Sequence, residues 1–371
     1  MEKEKKTKDI AIITYSRAYN YGSALQAYAL NYFLSKLGYN VKTIDYTTKR
    51  QQAIYRIFEP YKGILSILRN LQSMLCYYKL YRHKHKFDEF VDKRIPQTKK
   101  ISSTQQFVEM NEKYDYFICG SDQIWNAQCD DFDINYMLSF VKDKNKCIAY
   151  APSVGAGADN PQTSKMIKQF ASSFKAISSR ETRSAEIIEK ATCKKVQSVL
   201  DPVFLLSAEE WNEISASPIV TGDYILGYFI GDVVGMRDFA ANVHRKWNMP
   251  VVVIYKNLRD MKYGFSNHYE AGPTDFITLV KNAKCVITNS FHAISFSLIF
   301  RVNFWTFVDK TTSDSRIKGL LNDVGLSNRI IDIATSYEID PMTSIQYESL
   351  DMQAFKKKVL LSKKFLTDNI F

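Results

Sequence analysis

The sequence predicts an α/β protein of two doubly wound domains facing one central cleft. Three observations predict it. Short apolar runs alternate with stretches of helical periodicity, which argues for parallel sheets. A polar stretch carrying Pro218 and Gly222 interrupts that alternation near the middle of the chain. The length, 371 residues, suits two domains of ordinary size.

Each element has its own reason. "IAIITY" (10–15) is an apolar run suited to a buried strand. "GSALQAYALNYFLSKLG" (22–38) sets Leu25, Ala29, Tyr32, Phe33 and Leu37 at helical spacing and stops at Gly38. "VKTIDY" (41–46) is the next strand. Residues 49–100 break the rhythm. Within them "YKGILSILRNLQSMLCYYKLYRHKHKF" (61–87) reads as an inserted basic helix, with Ile64, Ile67, Leu68, Leu71, Leu75 and Tyr78 on one stripe. Alternation resumes with strands at "YDYFIC" (114–119) and "CIAYAPSVG" (147–155), a helix at "MIKQFASSF" (166–174) and a short strand at "AISS" (176–179). "VQSVLDPVFLL" (196–206) closes this half, and "SAEEWNEISASPIVTG" (207–222) is the expected linker. Beyond it come strands at 224–230, 250–255, 285–288 and 302–308, with helices at 274–283, capped by Thr274, and 290–300. "MQAFKKKVLLSKKFLTDNI" (352–370) is a C-terminal helix. The domains so read are 1–206, containing the insertion, and 223–335, followed by a tail and helix over 336–371.

Composition narrows the function classes. Apolar residues make up 46%, too many for a disordered chain. No apolar run approaches the roughly 18 residues of a spanning helix, and "MEKEKKTKDI" lacks the apolar core of a secretion signal, so a cytoplasmic protein is expected. Six scattered cysteines without a C-x-x-C pair suit reduced thiols, with no metal site. The net charge of +11 is concentrated in residues 49–100, which hold 13 Lys/Arg against 4 Asp/Glu. No nucleic-acid module accompanies that surplus, so no nucleic-acid partner is expected. The basic helix either packs on its own domain and solvates its other face, or contacts a membrane surface peripherally through 61–86.

Candidate chemistry falls where strands end. His292 opens the 290–300 helix just after a strand, with Asn289 or Ser290 able to cap that turn; a helix N-terminus there suits an anion. Arg180 stands at the tip of "AISS", either as a phosphate or carboxylate ligand or in a structural ion pair. Lys310 and Arg316 follow the strand at 302–308 and are further phosphate candidates. "AYNYGSALQ" (18–26) is a strand-to-helix turn where Asn20, Gly22 and Ser23 can approach a ligand, although G-x-G-x-x-G and G-K-[ST] are both missing. In "CGSDQIWN" (119–126), Ser121, Asp122 and Asn126 offer polar contacts and Trp125 a flat face. That set suits a sugar, or else a capped helix start over a core tryptophan. "DFD" (131–133) has D-x-D spacing, which recurs easily by chance.

Together "NYGSALQAYAL" (20–30), "YDYFICGSDQIWN" (114–126), "ISSRE" (177–181), "LDPVFLL" (200–206), "NAKCVITNSFHAISFSLIF" (282–300) and "SRIKGLL" (315–321) resemble the polysaccharide pyruvyl transferase family, in order and spacing. The resemblance implies a fold like that of two-domain glycosyltransferases of the B class, with two Rossmann-like domains. It implies transfer of pyruvate from phosphoenolpyruvate onto two hydroxyls of a sugar, closing a cyclic ketal, in a cell-surface polysaccharide or its lipid-linked precursor. It implies no cofactor and no metal. By that resemblance His292 and Arg180 match positions used for catalysis and donor binding, with a third basic donor contact at Lys310 or Arg316. The chemistry of the residues themselves adds Asn289 and Ser290 on the donor side, Asp122 as the catalytic group facing the acceptor, and Asn20, Gly22, Ser23, Ser121, Trp125 and Asn126 as acceptor contacts. The competing expectations are a sugar-nucleotide glycosyltransferase and a non-catalytic sugar- or lipid-binding assembly protein.

Overall fold

The computed structural model describes residues 7–155, 160–231, 233–255, 257, 259–308, 314–331 and 339–370. Along the chain it runs β1 (Asp9–Ile13), α1 (Tyr21–Lys36), β2 (Asn40–Thr43), α2 (Lys49–Ile54), α3 (Ile64–Leu75), α4 (Tyr77–Arg94), α5 (Thr104–Lys113), β3 (Tyr116–Cys119), β4 (Cys147–Ala149), α6 (Pro161–Ala171), β5 (Ala176–Ser179), α7 (Thr182–Thr192) and β6 (Gln197–Ser198). It continues through α8 (Ala208–Glu213), β7 (Ile225–Tyr228), α9 (Met236–Trp247), β8 (Val251–Val253), α10 (Arg259–Lys262), β9 (Ser266–Asn267), α11 (Pro273–Asn282), β10 (Cys285–Thr288), α12 (Phe291–Phe300), β11 (Phe304–Phe307), α13 (Asp314–Asp323), β12 (Ile330–Ile331) and α14 (Gln353–Asn369).

The chain divides into two units. One gathers the described residues up to 55, 91–206 and those from 353 onward; the other gathers 56–90 and 207–352. Each holds a six-stranded sheet, ordered β2-β1-β3-β4-β5-β6 in the first and β12-β11-β10-β7-β8-β9 in the second. The strands pair in parallel, β1 with β3 so that Ile13 meets Cys119, and β7 with β10 so that Tyr228 meets Thr288. The second order is the one found in dinucleotide-binding Rossmann domains. In both units the order reverses beside the first strand, between β1 and β3 and between β7 and β10. Ligands of such sheets bind outside the carboxyl ends at that reversal.

Local sequence explains the central elements. β3 ("YFIC") and β10 ("CVIT") are buried at every position, as strands covered on both faces must be. α1 follows β1 and is buried at every position from Tyr21 to Leu34 except Tyr32; α12 follows β10 and is buried from Phe291 to Leu298. Both helices are apolar all round, which a buried helix requires. In α12 the buried hydroxyls bond locally: Ser295 and Ser297 donate to Phe291 O and Ala293 O one turn back, at 2.9 and 2.8 Å.

Several boundaries differ from expectation. The inserted helix is two helices, broken at Cys76, and residues 56–90 belong to the second unit rather than to the N-terminal domain. Lys79, His83 and Lys86, on one face of α4, explain this. They reach Asn267 O at 2.8 Å, Ala271 O at 2.8 Å and Asp275 at 2.6 Å. The expected linker is packed: Ser207 and Glu210 cap α8 reciprocally, and Trp211 is fully buried, edge-on to Phe296 at 4.8 Å. α14 returns to the first unit, with Phe355 on Phe204 and Phe365 on Tyr150, while Ser362 accepts from Leu200 N at 2.8 Å. Thr274 does not cap α11; Gly272 occupies that place, with Pro273 opening the helix and Asp275 accepting from Gly272 N at 2.8 Å.

Candidate active site

At the first unit's reversal, β3 ends in a turn that only glycine can make. A Cβ on Gly120 would stand 1.9 Å from Tyr150 O, and its φ is +122. A cis peptide joins Gly120 to Ser121, and Asp122 follows with φ +76. That turn delivers the Asp122 carboxylate to the start of α1, where it accepts from Ser23 Oγ at 2.5 Å. Asn20 caps the same helix, accepting from Gly22 N at 2.9 Å and Ser23 N at 3.3 Å. Beneath lies Gln26, fully buried, which accepts from Ser121 N at 3.1 Å and donates to Thr14 Oγ1 at 2.8 Å.

Arg180, at the tip of β5, ties this turn to Asp201. Its side chain is only 1% exposed. Nη1 donates to Asp201 and, at 3.1 Å, to Ser121 Oγ; Nη2 lies 3.4 Å from Asp122 Oδ1, and Nε 3.6 Å from Glu181 Oε1. Asp201 is itself buried, and its second oxygen caps the turn at Val203 N, 3.1 Å away. Burial works against the guanidinium charge, but Asp201, Asp122 and Glu181 outweigh it and raise the Arg180 pKa. One cation thus meets three carboxylates. Nearby Asp131 is pushed above the usual carboxylate range, first by burial, against a backbone amide that lowers it, and then by the charge of Asp122.

Among the described residues, the second unit's reversal is held together by the uncharged side chains of Thr288, Asn289 and Ser290. Asn289, the residue after β10, uses both ends of its amide on the backbone beyond β7: Nδ2 donates to Ile230 O at 2.7 Å, and Oδ1 accepts from Ile230 N at 2.8 Å. Thr288 Oγ1 donates to Tyr228 O at 2.7 Å and accepts from Ser290 N at 3.0 Å. Ser290 caps α12, accepting from Ala293 N at 3.4 Å. His292 lies in the first turn of that helix, 7% exposed, with its ring edge-on to Phe291 at 5.3 Å.

Several expected contacts are corrected by this geometry. Trp125 is a core side chain, 1% exposed and edge-on to Phe174, so it offers no face for stacking on a sugar. Asn126 is buried, donating to Gln123 Oε1 at 3.1 Å and accepting from Gln128 N at 3.1 Å. Ser121 is fully buried among Ala151 O, Asp201 and Arg180. Arg180 was expected to hold the donor; its guanidinium is instead sealed among carboxylates. The Asn289 amide is committed to Ile230 and the Ser290 hydroxyl to its cap, so neither side chain is directed to a donor. Arg316 sits half-buried in the first turn of α13. Lys310 lies outside the described residues. Ser23 and Asp122 meet, and Asn20 and Gly22 form the helix start beside them. Sequence reasoning gave Asp201 and Gln26 no role, and met Asp131 only in a D-x-D spacing that it set aside as chance. "LDP" did signal a capping aspartate, but not its partner 21 residues earlier in the chain.

A family model described as polysaccharide pyruvyl transferase matches residues 20–309, well over half of the chain. The chain belongs to that family. The matched span holds Ser23, Asp122, Arg180, Asp201 and His292 but stops short of Lys310 and Arg316. Membership makes the protein a transferase acting on polysaccharide. No curated protein matches the chain in sequence. Among solved structures, the UDP-GlcNAc 2-epimerase of Methanocaldococcus jannaschii is similar at 12% identity, covering 97% of this chain and 99% of its own, with a TM-score of 0.55. The UDP-GlcNAc 2-epimerase of Neisseria meningitidis is similar at 9% identity, covering 98% and 99%, with a TM-score of 0.53. At those identities the likeness shows the fold, two Rossmann-like domains, and nothing of the reaction.

Proposed function

We propose that this pyruvyl transferase moves pyruvate from phosphoenolpyruvate onto two hydroxyls of one sugar, in a cell-surface polysaccharide or its lipid-linked precursor, and closes a cyclic ketal. On this reading it works in the cytoplasm. A proton delivered to the donor's methylene makes the central carbon electrophilic. A sugar hydroxyl adds there and loses its proton, phosphate leaves, and the second hydroxyl closes the ring with loss of its own proton. The donor's phosphate is the leaving group, so the sequence of steps is written without a cofactor.

The observation that carries the assignment of roles is the charge contrast between the two reversals. The first holds three carboxylates around one guanidinium, a surplus of negative charge that repels a phosphate and suits a neutral polyhydroxyl. Asp122, 14% exposed and anchored by Ser23, is the group we assign to orient and deprotonate an acceptor hydroxyl, with Arg180 positioning it. Among the described residues the second is held by uncharged side chains, Thr288, Asn289 and Ser290, and ends in a helix N-terminus, which suits an anionic donor. His292 is assigned the acid–base or phosphate-side role, and Lys310 or Arg316 a further cationic contact to the donor.

Phosphate release from phosphoenolpyruvate, measured across hexose and N-acetylhexosamine acceptors, tests this directly. Acceptor-dependent release is expected, and His292→Gln should lower it about a hundredfold or more while melting as the wild type does. Stabilisation against heat by nucleotide sugars and not by phosphoenolpyruvate would instead favour a glycosyltransferase. Sugar binding without phosphate release would favour a non-catalytic assembly protein.

A further inference from the structure

α3 is built inside out. Over "ILSILRNLQSML" the apolar residues Ile64, Ile67, Leu68, Leu71, Met74 and Leu75 fall within about 120° of helix arc. That stripe faces solvent: Ile64 is 75% exposed, Leu71 52% and Leu75 86%. The opposite side is the buried one, and it is carried by two small hydroxyls, Ser66 at 3% and Ser73 at 5%. Aromatic rings extend the exposed surface, with Tyr61 before the helix and Tyr78 and Tyr81 after it on α4. A stripe of this length, about 18 Å, is far from the scattered exposed leucines of an ordinary surface.

What covers it is argued from charge. Residues 56–90, the part of the insertion that belongs to the same unit as α3, hold 7 Lys/Arg against 3 Asp/Glu. Lys79 and Lys86 are turned inward onto Asn267 and Asp275, whereas Arg56, Lys62 and Arg82 of the same segment stay exposed. A second copy of the chain would bring the same positive surplus against itself. A nucleic acid would answer the charge but give leucines nothing to enter. An anionic bilayer answers both, with phosphates at the headgroup level and hydrocarbon just below. Among the described residues no helix is long and apolar enough to cross a membrane, so this contact lies in the plane of the surface.

We propose that α3 inserts its Ile64–Leu75 apolar face into the headgroup region of an anionic membrane, with the neighbouring basic residues on lipid phosphates. This does not rest on the pyruvyl transfer reading, and its test reads no activity. The intact chain is sedimented with vesicles of phosphatidylcholine, with and without phosphatidylglycerol. Three proteins are compared: wild type, Leu68→Glu with Leu71→Glu, and Leu360→Glu, which charges a still more exposed leucine on α14. Wild type and Leu360→Glu should sediment with the anionic vesicles, less so as salt rises. The double variant should bind at least about tenfold more weakly while keeping the wild-type melting curve. Absence of wild-type binding, or binding that survives the double substitution, would overturn the proposal. So would sedimentation velocity showing a dimer that the double variant dissolves without any vesicle binding, because a second copy would then cover the face.

Discussion

The two units close the same kind of strand reversal with different materials. Beyond β1 and β3 the turn is held by charge: Arg180 joins Asp201, Asp122 and Glu181, all but Asp122 nearly sealed from water. Beyond β7 and β10 the turn is held by backbone: Asn289 and Thr288 bond to the main chain of Ile230 and Tyr228. In both, the strand is followed by a helix apolar on every side, α1 or α12. Sheet topology therefore decides where a ligand can sit, and side chains decide which ligand. The charged version presents a carboxylate, Asp122, at a surface otherwise committed. The other version places an imidazole, His292, in the first turn of a helix that opens just after the strand.

The largest expected effect breaks the charged version. Arg180→Met removes the cation that Asp201, with no exposed side-chain surface, shares with two other carboxylates. Losing one partner of such a buried pair costs about 3–5 kcal/mol, and exchanging both for uncharged groups costs far less. Urea unfolding of Arg180→Met should show that loss, and Arg180→Met with Asp201→Asn should recover more than half of it. A single variant as stable as the wild type would mean that the cluster is not held by charge, and the contrast between the two reversals would collapse.

A smaller effect is expected at the neutral reversal. Asn289→Ala strands the N–H and C=O of Ile230 and should cost about 1–3 kcal/mol, with no dependence on salt. Unfolding at low and high salt checks both points. A salt-dependent loss would show that this turn, too, is under electrostatic control.

How much of this was legible in the sequence depends on what each feature obeys. Central strands were readable because burial on both faces demands unbroken apolar runs such as "YFIC" and "CVIT". The place of His292 followed from strand-then-helix order alone. The insertion was misassigned because periodicity reports that a helix has two faces, not which of them is buried. Ser66 and Ser73 went in, and the leucines stayed out. Trp125 looked like a sugar platform because a tryptophan beside polar residues fits either reading; only packing on Phe174 separates them. Asp201 and Arg180 could not be paired from sequence, because the contact depends on β5 and the turn after β6 lying side by side. The placement of α8 was available in the S-x-x-E cap of "SAEE", which outweighs the polar character that suggested a linker.

The smallest effect sharpens the comparison, and its sign carries the meaning. Asp131 has a folded-state pKa above the ordinary carboxylate value, through burial first and the neighbouring Asp122 charge after it. A carboxyl shifted upward binds its proton more tightly when folded. Its stabilising contribution is therefore full below the unfolded pKa, about 3.9, and is lost as pH rises through the folded one. Above the folded pKa the ionised Asp131 is a cost, so Asp131→Asn should raise the urea midpoint toward the alkaline side. As pH falls toward the unfolded value, the wild-type side chain becomes neutral as well and the advantage should shrink. If the variant is less stable toward the alkaline side, the Asp131 carboxylate is satisfied by its surroundings, and the carboxylates of this reversal are a stabilising network rather than a strained one. If the midpoint rises as expected, the first unit keeps an ionised group at its reversal against its own stability, as groups retained for function do.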